Sequence, residues 1–106
     1  MKKSTMMMLL MSLFLTACAQ HNGAVVIRTQ PEGAEIVDVK SGVSMGVTPL
    51  KYWWRDDDST QKFVNIRAQK DGYNDKTNSF WVDLRHKSRD EALENPQPVD
   101  MIMDKL

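Results

Sequence analysis

From residue 24 onward, apolar and polar positions alternate in short runs cut by turn residues. That is the period of β-strands, whose successive side chains leave opposite faces. Residues 62–70 (KFVNIRAQK) give the cleanest case: Val64, Ile66 and Ala68 point one way, and Phe63, Asn65, Arg67 and Gln69 the other. Residues 79–84 (SFWVDL) repeat it, with Phe80, Val82 and Leu84 inward and Ser79, Trp81 and Asp83 outward. Residues 50–54 (LKYWW) set Leu50, Tyr52 and Trp54 against Lys51 and Trp53, and residues 99–103 put Val99, Met101 and Met103 on one face. Residues 24–29 (AVVIRT) are rich in β-branched side chains, with Val25, Ile27 and Thr29 on one face and both faces starting apolar. Residues 34–39 (AEIVDV) are strand-like without a clear inner face, and residues 43–46 (VSMG) fit either a short strand or a loop.

The breaks between runs have a mechanism. Pro31 fixes φ at one turn position and Gly33 can take φ > 0 beside it. Gly46-Val47-Thr48-Pro49-Leu50 makes a second corner, because the residue before a proline is pushed towards extended geometry. Residues 55–60 (RDDDST) form an acidic connection, Asp71-Gly72 ends the long strand just before Tyr73, and residues 74–78 (NDKTN) form a turn cluster. In the polar segment 85–95, Ser88 and Glu91 have capping-box spacing, which predicts a short helix with only Ala92 and Leu93 to pack. Pro96 and Pro98 confine the last strand to an edge. The sum is about six short strands with frequent turns, the pattern of a small antiparallel all-β sandwich over residues 24–106.

The first residues read differently. Lys2 and Lys3 precede an apolar run over residues 6–17, shorter than the roughly 20 residues a membrane-spanning helix needs. A positive flank, a short apolar core and small residues before a break predict a signal peptide over residues 1–17. Leu15-Thr16-Ala17-Cys18 resembles the bacterial lipobox, which implies cleavage before Cys18 and lipidation of its thiol. Residues 18–23 then read as a short tether that holds the domain near the membrane, and Ala19 in the place after the cysteine resembles the outer-membrane default, with the domain on the periplasmic side. Cys18 is the only cysteine among 106 residues, so the chain can form no internal disulfide and no cysteine metal cluster.

Charge narrows the partners. Lys plus Arg total 14 and Asp plus Glu total 14, with no basic tract, which argues against nucleic acid. His21 and His86 lack metal-ligand spacing, with His86 expected in solvent between Arg85 and Lys87. Asp56-Asp57-Asp58 lacks the alternate spacing and glycine of a calcium loop and reads as a solvated turn. Asp83 and His86 can approach each other, but no placed nucleophile completes a triad, since Ser88 follows too closely in the same loop. No catalytic residue, metal or cofactor is expected.

Three landmarks in order, Pro31-Glu32-Gly33-Ala34, then Gly46-Val47-Thr48-Pro49-Leu50, then Gly72-Tyr73, resemble the PEGA domain family, with departures over residues 39–45 and 52–61. The resemblance implies a small β-sandwich used as an accessory or interaction module, with Pro31, Gly33, Gly46, Thr48, Pro49, Gly72 and Tyr73 as structural turn residues. Trp53 and Trp81, with Phe63, are the candidate contact residues, as an exposed aromatic patch across neighbouring strands. Ordinary packing of the same rings is the competing reading. The expectation is a lipid-anchored envelope accessory protein that binds another envelope protein, as in secretion, pilus or motor-type assemblies. The alternatives are a peptidoglycan- or polysaccharide-binding lipoprotein and an inhibitor or immunity lipoprotein.

Overall fold

A computed structural model describes residues 20–106. The signal peptide expected over residues 1–17, and Cys18, lie outside the described residues. Seven strands and one short helix follow in order: β1 (His21–Gln30), β2 (Glu35–Asp38), β3 (Ser44–Val47), β4 (Leu50–Asp56), β5 (Gln61–Gln69), β6 (Lys76–Asp83), α1 (Arg89–Glu94) and β7 (Gln97–Ile102). One sheet has the order β4-β1-β7 and the other β3-β2-β5-β6. The chain is therefore a small all-β sandwich. The seventh strand is β3, formed where the sequence fitted either a strand or a loop.

The inward residues are those the alternation selects. Val25 and Ile27 from β1, Ile66 and Ala68 from β5, Val82 from β6 and Met101 from β7 are all buried in one core. Ile36, fully buried opposite Ala68, settles the inner face of β2, which alternation alone left open. Leu50, Tyr52 and Trp54 also pack against this core, from the other sheet.

One boundary and one strand pairing differ from the sequence reading. First, β1 starts at His21, so residues 21–23 belong to the sandwich and are not tether. Asn22 bridges to His86 and is 1% exposed. A Cβ on Gly23 would sit 2.5 Å from the Asp83 carbonyl oxygen, so only glycine lets β1 pass that close to β6. A polar HNG sequence hides this, because its burial depends on a chain more than sixty residues away. Second, β1 pairs antiparallel with β4 but parallel with β7, with Ile27 opposite Leu50 on one side and Val99 on the other. The long 85–95 connection carries the chain across to make that parallel pairing possible.

The connection is ordered by α1. The Ser88 side chain accepts from Glu91 N–H at 3.1 Å, which forms one half of the predicted capping box. The Glu91 carboxylate does not close the box and lies 3.3 Å from His86 Nδ1. Ala92 is fully buried, and α1 packs across the outer face of β1 and β4.

Candidate functional site

The landmark turns converge on Thr48. Its hydroxyl accepts from Gly33 N–H at 3.2 Å and Ala34 N–H at 3.1 Å. It lies 2.6 Å from Thr29 Oγ1, which gives its own proton to the Pro31 carbonyl at 2.8 Å. Thr48 is therefore the donor in the threonine pair. Backbone bonds from Gly33 N–H to Thr48 O and from Thr48 N–H to Ala34 O complete the knot. The Pro31–Gly33 turn and the Gly46–Pro49 corner thus form one buried polar joint between the two sheets. Gly33 has φ +91° and Gly46 φ +140°, both in the region that favours glycine. Tyr73 packs half-buried on the core, and Gly72 O receives Leu106 N–H, tying the chain end down. These residues hold shape and present no open chemistry.

The aromatic candidates separate into two environments. Phe63 and Trp81 are directly opposite on β5 and β6. Their rings meet edge to face with centroids 5.2 Å apart, and the residues are 54% and 57% exposed. Trp53 is not with them. It lies on β4, in the other sheet, and is half-buried. Its indole N–H donates to Asn22 Oδ1 at 3.0 Å, and the Arg89 guanidinium sits 5.4 Å from its ring centroid. A patch joining Trp53 and Trp81 across neighbouring strands is therefore ruled out. Alternation placed Trp53 outward correctly, but α1 covers that outward face.

A groove lies beside Phe63, with a volume of about 550 Å³. Tyr52 and Trp54 line it, their rings tilted at 51° with centroids 4.8 Å apart. Asn65 also lines it, and its Oδ1 is buried with no hydrogen-bond partner. Buried amide oxygens are almost always paired, and no protein group pairs this one. The rim carries Lys40 and Lys62, both exposed, and Asp38. Asp38 is already engaged: Ser41 Oγ donates to it at 2.6 Å and Ser41 N–H at 3.1 Å, which holds its carboxyl below the usual range. The sequence reading passed over this set. Its one local signal was the tyrosine–tryptophan pair at inward positions of 50–54, which looks the same in a closed core.

The acidic turn serves the backbone. Asp56 Oδ1 accepts from the N–H groups of Asp58 and Ser59, and these bonds lower its pKa. Asp57 pairs with Arg55 at 3.1 Å. Among the described residues no group of three or more His, Cys, Asp or Glu is placed to hold a metal ion. His86, expected in solvent, is instead tucked in: its side chain is 12% exposed, because the Asn22–His86 bridge draws that segment onto β1. It faces Glu91, and among the described residues no hydroxyl is hydrogen-bonded to its ring.

The site is thus an exposed aromatic pair beside an open groove on a β-sandwich. Comparison with known proteins gives no matching family model, no similar curated protein and no similar solved structure.

Proposed function

We propose that this chain is a lipid-anchored envelope accessory protein, without catalytic activity, that binds another envelope protein through the outer face of the β3-β2-β5-β6 sheet. The observation that carries the reading is the Phe63–Trp81 pair, more than half exposed in the middle of polar neighbours. Large aromatics exposed together on a rigid sheet are the usual anchors of protein interfaces. The lipobox resemblance at Cys18 supports a membrane address, and the ordered turn landmarks support the PEGA-type reading of an accessory domain.

Crosslinking in native envelopes tests this. Recovery of one protein in stoichiometric amount, lost in Trp81→Ala and Phe63→Ala variants that remain folded, is the expected result. Recovery of no protein from the unaltered chain, together with co-sedimentation with purified sacculi, would replace the reading with glycan binding.

A further inference from the structure

The groove is an unfinished corner of the sandwich. Strand β5 extends from Gln69 back to Gln61, but its neighbour β2 ends at Asp38, opposite Ile66. One more ladder bond follows, from Val39 N–H to Asn65 O at 3.0 Å. Backbone groups on a strand alternate in direction, so Phe63, two residues on, turns its N–H and C=O towards the same side as Asn65. There β2 has ended and the groove begins. Among the described residues, Phe63 N–H and C=O make no bond to a loop. The next position in that alternation, Gln61, is closed: Ser59 Oγ donates to its carbonyl at 2.6 Å. On the opposite margin of this sheet the end of β6 is capped, because the Gln97 side chain donates to Trp81 O at 2.8 Å and accepts from Asp83 N–H at 3.3 Å. An interior strand left open at one residue, beside a groove with an aromatic floor, is the distinctive feature.

We infer that this corner binds an extended peptide segment of a partner protein, which adds to the β5 edge at Phe63, seats a large apolar side chain against Tyr52 and Trp54, and carries a flanking carboxylate. Four independent features fit that occupant. The Phe63 backbone offers one donor and one acceptor, which is what strand addition uses. The tilted Tyr52–Trp54 pair accepts an aromatic or large aliphatic side chain. The unpartnered Asn65 Oδ1 needs an N–H donor, which a peptide backbone supplies. Lys40 and Lys62 outnumber the single Asp38 carboxylate of the rim, neither lysine forms an ion pair among the described residues, and the net positive charge selects an anion. A sugar ring would satisfy the floor and Asn65 but would leave the edge of Phe63 and the two ammonium groups unused.

This inference rests on the proposal that the chain is a protein-binding module, and the test separates the two. The full chain, purified from membranes in detergent, is titrated with fluorescent peptides of Ser and Thr that carry a central Trp, Leu or Ser and flanking Glu or Lys. Peptides with Trp or Leu flanked by Glu are expected to bind at least about tenfold more tightly than those flanked by Lys or centred on Ser. Lys40→Glu combined with Lys62→Glu is expected to reverse the charge preference. Both are exposed positions, so the variant keeps the fold. N-methylation of the peptide backbone at alternate residues is expected to abolish binding, and hydrogen exchange at the Phe63 amide is expected to slow on binding.

Binding unaffected by N-methylation, or a charge preference unchanged by the double swap, would overturn the inference. A native partner whose contact is lost with Trp81→Ala, while no peptide protects Phe63, overturns the groove and leaves the module reading standing. Protection of Phe63 by N-acetylglucosamine oligomers, with none by peptides, overturns both.

Discussion

Thr48 shows how much one hydroxyl can hold. In Thr48→Val, Gly33 N–H keeps the Thr48 carbonyl, but Ala34 N–H, in a residue with no exposed surface, loses its acceptor. An unsatisfied buried N–H costs about 2 kcal/mol. Urea denaturation of Thr48→Val should show that loss, and Thr48→Ser should recover most of it. The two lowered carboxyls give a pH dependence of defined sign. Asp38 is held down first by the Ser41 hydroxyl, and Asp56 first by the Asp58 N–H and then the Ser59 N–H. Each contributes stability that is fully present above the ordinary aspartate value of 3.8 and is lost as pH falls through the lowered folded value. Denaturant midpoints should therefore drop on acidification below that value. The drop should shrink in Asp38→Asn combined with Asp56→Asn. Both carboxylates face solvent, so the effect is small.

Strand β4 and helix α1 account for the two fates of the tryptophans. Trp53 on β4 lies under Arg89 of α1, and its N–H fills Asn22 Oδ1 on β1, which in turn holds the His86 segment. Trp53→Phe should cost about 1 kcal/mol through the orphaned amide oxygen. Trp81→Ala, on an exposed face, should stay within about 0.5 kcal/mol of the unaltered chain. Thermal melts of the two variants would check the contrast, which reverses if Trp53 is the exposed ring. The β1–β6 crossing is similarly local. Gly23→Ala drives a Cβ into the Asp83 carbonyl, and backbone cannot rotate away as a side chain can. A loss of about 3 kcal/mol is expected, readable as a shift in the denaturation midpoint.

The described residues form a small sandwich whose two sheets are linked at one margin by the Gln97 side chain and joined at another by Thr48, with the β4–β5 corner left open. The proposed lipid anchor and the proposed interaction face are consistent with each other, since a protein held at a membrane searches only the volume beside it. Cys18→Ser should move the protein from the membrane to the soluble fraction after cell disruption. Retention in the membrane would remove the lipid-anchor proposal and leave the sandwich untouched.

Period-two alternation was enough to read the sandwich class and the inward sets of β5 and β6, and proline and glycine chemistry was enough to read the turns at Pro31 and Thr48. Each of these is written within a few neighbouring residues, since burying one face of a strand constrains every second side chain. The buried start of β1 at Asn22 and Gly23, the parallel β1–β7 pairing and the half-buried His86 were not legible. They depend on segments that meet only after the chain has crossed the sandwich. The candidate contact residues divide the same way. Phe63 and Trp81 could be read as outward from their own strands, whereas covering Trp53 required α1 to dock. The groove required β2 to stop where β5 continues. A gap between elements of unequal length is a property of their assembly, and no single stretch of sequence records it.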